Sequence, residues 1–244
     1  MAASAPPVPL EDVLAELEAV DEAEGWRGVV KLDGRMLEMM ALGADDADVY
    51  RILTFFVVAH RMRFRQTGDT DHARSYCTLL EWQIPLLGNL QRFGDQGHAM
   101  CNLSHILQSL ERHREGVVWS QRARDVGEAH GFFSLESKAC LGLGKAAVNG
   151  GRHEEGLALL RNALVAAELT ELDDSKCERE ALQVLLQVLF QDRAFDEVEP
   201  LLVRFKEEAK AQSEKEGLCG DELLSLIFSA RLHEVRCTQK CSVA

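Results

Sequence analysis

The feature that most constrains this chain is an internal repeat of about 40 residues. Shifting the sequence by 40 residues aligns seven identical pairs in one register, and a further shift of 42 residues aligns Leu143 with Leu185 and Glu155 with Glu197. Because periods of about 20–50 residues are typical of stacked repeat proteins, the chain is predicted to consist of successive copies of one small unit. The seven pairs are Leu103/Leu143, Arg112/Arg152, His113/His153, Glu115/Glu155, Gly116/Gly156, Ala123/Ala163 and Glu128/Glu168.

Helical periodicity is present along the chain. After Pro9, Leu10, Val13, Leu14 and Leu17 recur at spacings of three and four, which is the pattern of one buried helical face. Strand signals are absent from the sequence, and only five Pro and 18 Gly interrupt it. The breaks between helical stretches are short, and short breaks favour antiparallel neighbours. The sequence therefore predicts an all-α protein made of helical hairpins.

The repeat columns resemble the tetratricopeptide repeat (TPR). Leu143-Gly144 matches the Leu-Gly pair of the first helix in that family, Gly116 and Gly156 match its small position, and Ala123 and Ala163 match its later alanine. The repeat length here is 40 to 44 residues, against about 34 in the standard repeat, so the nearest analogy is with kinesin-light-chain and LGN-like repeats. The resemblance implies a right-handed α-solenoid of about five antiparallel helical hairpins plus a C-terminal capping helix.

We predict a single TPR-like domain over residues 10–237, between a disordered leader at 1–9 and a flexible tail at 238–244. Small residues at Gly116, Gly144 and Gly156 are expected to let helices approach closely within it. The predicted units are approximately 10–42, 46–93, 96–131, 134–172 and 175–214, with a terminal helix at 219–236.

Charge and cysteine content limit the possible partners. The net charge of −13 repels phosphate backbones and anionic lipid, so neither nucleic acid nor a membrane is an expected partner, and a protein partner is expected to be neutral or basic overall. The seven cysteines are an odd number without a CxxC pair, which favours reduced thiols inside the cell. The N-terminal residues lack the pattern of a secretory signal. We therefore predict a cytoplasmic protein.

No catalytic motif is found in the sequence. Gly142-Leu143-Gly144-Lys145 departs from a phosphate-binding loop, because Ala139 replaces its first glycine and Ala146 replaces the serine or threonine after the lysine. Neither GxSxG nor HExxH occurs. We predict that the protein is not an enzyme and needs no cofactor.

One set of residues has the spacing of metal ligands. His98, Cys101 and His105 lie at i, i+3 and i+7, and thiolate and imidazole are ligands that suit zinc. A structural zinc site needs a fourth ligand, for which His60 is the one candidate on the neighbouring helix. We therefore predict no metal, and a metal sensor remains the alternative from another functional class.

The resemblance also implies where a partner binds, because the first helices of TPR hairpins line a concave groove. Polar side chains there can hydrogen-bond an extended or helical peptide. We predict a non-catalytic scaffold or adaptor, with a structural subunit that uses its convex face as the alternative. The predicted groove residues are Asn102, His105, Gln108, Lys138, Lys145, Asn149, Gln183 and Gln187.

Two further groups of residues are interpreted as structural. Trp26, Trp82 and Trp119 are too scattered to form a binding box and are expected to be packing residues. The alternating residues Arg61, Arg63 and Arg65 are expected to be solvated charges, with contact to an acidic peptide as the alternative.

Overall fold

The computed structural model describes residues 10–43, 45–170, 175–216, 224–225 and 227–232. These residues are almost entirely helical and include no strand, which confirms the predicted all-α fold. They divide into two compact units, with the boundary between His130 and Gly131. The leader at 1–9 and the tail at 238–244 lie outside the described residues, and the single domain over 10–237 stays a prediction.

The first unit begins with a short-helix region and continues with two hairpins of long helices. Helix α4 packs against α2 and α5, α5 packs against α6, and α6 packs against α7. Its largest fully buried side chains include Phe56, Tyr76, Leu80, Leu103 and Leu107. The elements are α1 (Leu10–Glu24), α2 (Trp26–Val30), a 3-10 turn (Asp33–Arg35), α3 (Met36–Met40), α4 (Asp46–Thr67), α5 (Thr70–Asn89), α6 (Phe93–Ser109) and α7 (His113–His130).

The second unit contains two more hairpins. Its helices are α8 (Phe133–Asn149), α9 (His153–Glu168), α10 (Ser175–Gln191) and α11 (Phe195–Glu216). Helix α10 contacts both α8 and α9, and Leu182, Leu186 and Phe205 are buried in the shared core. Phe228 and Leu232 join this core from the helical residues 227–232, which fall within the predicted terminal helix.

A recurrent turn links the long helices. Gln91, Glu111, Gly131, Gly151 and Arg193 all have positive φ, between 57° and 78°, and each lies two residues before the next helix begins. In four of these turns the next backbone N–H donates to a carbonyl five residues back, as from Arg112 to Leu107 at 2.8 Å. This is the Schellman arrangement that satisfies the last carbonyls of a helix. The turns explain why α7, α9 and α11 begin at the equivalent residues His113, His153 and Phe195.

The glycines predicted at helix crossings do lie there. A Cβ atom on Gly156 would be 2.5 Å from Val148 Cγ2 and 3.1 Å from the Gly144 carbonyl oxygen. A Cβ on Gly116 would be 2.9 Å from Gln108 Cγ and 3.0 Å from the Ser104 carbonyl oxygen. These pairs of neighbours differ by 40 in residue number, so the sequence repeat is also a repeat of packing. Across the described residues, no helix has the length and apolar character needed to cross a bilayer.

Candidate functional site

The first helix of each long hairpin from α6 onward has one solvent-facing stripe. In each unit we call these stripes its first-helix face: α6 provides that of the first unit, and α8 and α10 provide that of the second. On α6 the stripe consists of His98, Asn102, His105 and Ser109, spaced at i, i+4, i+7 and i+11. Asn102, His105 and Ser109 are exposed, and His98 is half-buried. The other side of α6 is buried through Leu103, Ser104, Ile106 and Leu107, so packing leaves this stripe for solvent or a partner.

The corresponding stripe on α8 consists of Lys138, Gly142, Lys145 and Asn149. Both lysines are half-buried and Asn149 is exposed. A lysine can bury its aliphatic stem while its ammonium group reaches water, so these cations are held against the helix surface.

The stripe on α10 consists of Glu180, Gln183, Gln187 and Gln191. Gln187 and Gln191 are exposed, while Gln183 is half-buried. Because α8 and α10 are in contact, their two stripes belong to neighbouring helices of the second unit.

The three stripes occupy nearly the same positions of the repeat. Adding 40 to the α6 positions gives the α8 positions, and adding 42 to the α8 positions gives Glu180, Gln187 and Gln191 of α10, with Val184 rather than Gln183 at the remaining position. The stripes on α6 and α8 contain no acidic residue, and the stripe on α10 contains one, Glu180, although the whole chain has a net charge of −13. The first-helix face of each unit is therefore polar and carries no net negative charge.

Gln108 differs from the other predicted groove residues. Its Nε2 donates to Ser104 Oγ at 3.2 Å, and its Cγ lies beside Gly116 of α7. The equivalent residue Val148 lies beside Gly156 in the same way. The Gln108 side chain thus packs inside the hairpin, and its side-chain amide already donates a hydrogen bond there.

The alternative metal site is not assembled. Within the described residues, no three or more His, Cys, Asp or Glu side chains are arranged to hold a metal ion. His98, Cys101 and His105 therefore share a helix side without forming a ligand cluster, and His60 is engaged with Asp33 and His72 instead.

A pair of histidines between α4 and α5 was not found from the sequence. His60 is 3% exposed, its Nε2 lies 3.1 Å from Asp33 Oδ1, and its Nδ1 lies 3.0 Å from Nδ1 of His72. His72 Nε2 lies 3.9 Å from Asp69 Oδ2. These partners are 27 and 12 residues from His60 along the chain, and no periodic pattern in the sequence connects them.

The interpretation of the tryptophans and arginines needs correction. Trp82 is 38% exposed, so part of its ring faces solvent, whereas Trp26 and Trp119 are half-buried. Arg65 is exposed as expected, but Arg61 and Arg63 are half-buried with buried Nε atoms, and Arg63 Cζ lies 5.4 Å from the Trp26 ring centroid. A guanidinium over an indole face is a cation–π contact, so Arg63 contributes to packing rather than to a solvated patch.

Burial raises the pKa of two neighbouring side chains on α5. Burial raises the pKa of the Cys77 thiol to about 11 and the pKa of the Tyr76 phenol to about 12. Both groups therefore stay protonated and neutral at physiological pH, because burial disfavours their charged forms. The described cysteines Cys77, Cys101, Cys140 and Cys177 are thiols and not disulfides. A buried protonated thiol such as Cys77 is chemically inert, so it serves packing rather than reactivity.

Comparison with known proteins identifies the fold. No family model matches the chain, and no curated protein matches it in sequence. Among solved structures, it is similar to a kinesin light chain with nearly identical TPR-like repeats from Podosopora anserina, at a TM-score of 0.53 and 14% identity. That similarity covers 85% of this chain and 96% of the other. The chain has a TPR-like helical repeat fold. At this identity, the likeness establishes the TPR-like fold and leaves partner and function to be argued from the surface.

Proposed function

We propose that the protein is a non-catalytic protein-interaction scaffold that binds a peptide or helix of its partner on the first-helix face of the second unit. The TPR-like fold suggests protein partners. The observation that carries the proposal is the recurrence of polar side chains at three equivalent, exposed or half-buried positions on α6, α8 and α10: 98, 138 and 180; 105, 145 and 187; and 109, 149 and 191. Amide and ammonium groups at such positions can hydrogen-bond the backbone and side chains of a bound segment.

The overall charge of the chain supports a proposal about the charge of the partner. At a net charge of −13, long-range repulsion disfavours acidic partners, so the partner is proposed to be neutral or basic overall. The odd number of cysteines and the thiol state of those described support an adaptor that works in the reducing cytoplasm.

The experiment compares two matched double variants in capture of partners from the source cell, with identification by mass spectrometry. Lys145→Ala with Asn149→Ala removes one ammonium and one amide from the first-helix face of the second unit. Asn162→Ala with Lys206→Ala removes the same two groups from exposed positions of α9 and α11. Losing two well-placed hydrogen bonds, one of them charged, costs roughly 2–4 kcal/mol, which is enough to lose a micromolar complex. The first variant is expected to lose the partner that wild type and the second variant retain.

A second candidate function is favoured by apolar side chains on the second helices. Val118 of α7, Val165 of α9 and Val203 of α11 are each 50–54% exposed, and Leu169 at the end of α9 is 53% exposed. Such side chains on the opposite helices suit a structural subunit held in a larger assembly. Val165→Ser with Leu169→Ser tests this function. If this variant loses the partner while the Lys145/Asn149 variant retains it, the second helices are the working surface and the scaffold proposal fails.

A further inference from the structure

Helix α4 has a second ordered row of side chains besides those that it buries. Arg51, Phe55, Val58, Met62 and Arg65 follow one another at spacings of four, three, four and three residues. We call these five residues the α4 seam. Because a helix turns by about 100° per residue, this spacing keeps all five on one side of α4. Apolar side chains at the same spacing form the contact between the helices of a coiled coil.

The opposite side of α4 is the side that packs inside the first unit. Ile52, Leu53 and Phe56 are completely buried there, and His60 contacts Asp33 from the same side. The interior of the first unit is therefore built without the α4 seam.

The seam is accessible at its centre and at both ends. Val58 is 39% exposed, Arg51 and Arg65 are exposed, and Phe55 and Met62 are half-buried. Packing within the first unit thus leaves three apolar side chains in a row with one arginine at each end.

The charge along α4 is of one sign. After Asp48, the helix has no acidic residue up to its end at Thr67, whereas it carries arginines at 51, 61, 63 and 65. Elsewhere in the described residues arginines pair with carboxylates, as Arg74 does with Asp71 at 2.8 Å. Within that part of the chain, Arg51 and Arg65 take part in no ion pair. Both guanidinium groups can therefore meet carboxylates of a bound partner.

Two other occupants fit the seam poorly. If the seams of two copies of the chain packed together, an arginine would face an arginine at both ends, whether the helices ran parallel or antiparallel, and facing like charges disfavour association. An anionic membrane is disfavoured because the chain has a net charge of −13 and the seam offers only three apolar side chains.

We infer that the α4 seam binds an amphipathic helix of another protein, which places apolar side chains against Phe55, Val58 and Met62 and one carboxylate against each arginine. Arg51 and Arg65 are 14 residues apart, or about 21 Å along the helix. The bound helix therefore carries two acidic residues 14 positions apart, on either side of an apolar row.

The net charge of the chain does not prevent this contact. Charges in solution are screened over about 8 Å at physiological ionic strength, so the arginines of the seam act on a bound helix more strongly than distant acidic residues do. An acidic helix of this kind can belong to a protein that is neutral or basic overall. The inference is independent of the proposed function, because α4 belongs to the first unit and the proposed binding face belongs to the second.

The test uses two synthetic helical peptides. The first has leucine at three successive seam positions and glutamate at the seam positions before and after them, 14 residues apart; the second has lysine in place of both glutamates. Binding is measured by fluorescence anisotropy. Wild type is expected to bind the glutamate peptide at least about tenfold more tightly than the lysine peptide, and Arg51→Glu with Arg65→Glu is expected to reverse this preference.

The matched control is Arg114→Glu with Arg193→Glu, which makes the same change of charge at exposed arginines of α7 and of the turn before α11. It is expected to keep the preference of wild type. Val58→Asp removes the apolar centre of the seam and is expected to weaken binding of the glutamate peptide at least about tenfold. Circular dichroism checks that each variant remains helical.

Several results would overturn the inference. These are failure of wild type to bind the glutamate peptide, and an unchanged preference in the Arg51/Arg65 variant. Binding to phosphatidylserine vesicles that the Arg51/Arg65 variant loses would assign the seam to a membrane instead. A wild-type dimer in sedimentation velocity that Val58→Asp abolishes would assign it to a second copy of the chain. The Lys145/Asn149 variant should bind the glutamate peptide as wild type does, so failure of the proposed function leaves this result unchanged.

Discussion

The hydroxyl groups of Ser104 on α6 and Ser120 on α7 share a hydrogen bond of 2.7 Å, and both residues are 2% exposed. The next hairpin has Gly144 and Leu160 at the equivalent positions, and a Cβ on Gly144 would lie 2.8 Å from Leu160 Cγ. The same helix crossing is therefore filled in two ways. One hairpin uses a polar pair of small residues, and the other uses a leucine placed over a glycine.

Ser120→Leu alone is expected to lower the free energy of unfolding by roughly 1–3 kcal/mol, because the leucine meets the Ser104 side chain in a filled space. Adding Ser104→Gly is expected to restore part of this loss, since the pair then matches the Gly144/Leu160 crossing. A double-mutant cycle by urea unfolding measures the coupling between the two positions. Additive effects would contradict the equivalence of the two crossings.

Gly156→Ala is expected to destabilise the second unit by roughly 1–3 kcal/mol, through a Cβ that contacts Val148 and the Gly144 carbonyl. The helix preference of alanine offsets at most about 1 kcal/mol of this cost. Gly34→Ala is the matched control, because a Cβ there meets nothing within 4 Å. Thermal or urea unfolding should separate the two variants, and equal stability would show that the α8–α9 crossing is looser than described.

Tyr76 is expected to make stability fall at alkaline pH. Burial raises the pKa of its phenol to about 12, from an ordinary value of 10.0, so above about pH 10 the folded chain binds more protons than the unfolded chain. The stabilisation of the folded chain by this protonated phenol is fully present below pH 10 and is lost as the pH rises towards 12. Tyr76→Phe keeps the ring and removes the ionisable group. Between about pH 9 and 11, its free energy of unfolding should fall less steeply than that of wild type.

Arg204 on α11 is expected to stabilise the second unit through two carboxylates. It pairs with Glu168 of α9, and its Nε lies 2.7 Å from Glu178 Oε1 of α10. Its side chain is 33% exposed, so Arg204→Ala is expected to cost about 1–2 kcal/mol. The comparison is Arg161→Ala, which removes the more exposed pair with Glu197 and should cost at most about 1 kcal/mol. Equal losses in urea unfolding would mean that the double pairing adds nothing.

The sequence predicted those parts of the fold that repeat. Leu143-Gly144, Gly116 and Gly156 recur at a fixed spacing, so the helix crossings could be located before any coordinates were known. The same register also placed Asn102 and His105 on the side of α6 that faces away from its buried residues, because the helical period assigns each residue to one side of the helix.

Other features depend on particular contacts and leave no periodic signal. His60 meets Asp33 and His72 only because three separate elements pack together. The positive φ values at Gln91, Glu111 and Arg193 were not predictable either, since glycine is the usual residue in that conformation and none is present there. Exposure of Trp82 likewise depends on which neighbour covers each side of α5.

The spacing of the recurrent turn determines where the chain can change in length during evolution. The residues with positive φ at 91, 111, 131 and 151 are 20 residues apart, and the next one among the described residues is at 193. Inserting or deleting one residue within a helix would rotate every later side chain by about 100°, moving both the buried columns and the polar stripe off their sides. Homologues should therefore keep their insertions and deletions out of the stretch from 91 to 151 and tolerate them better between 151 and 193, because these two positions are 42 rather than 40 residues apart.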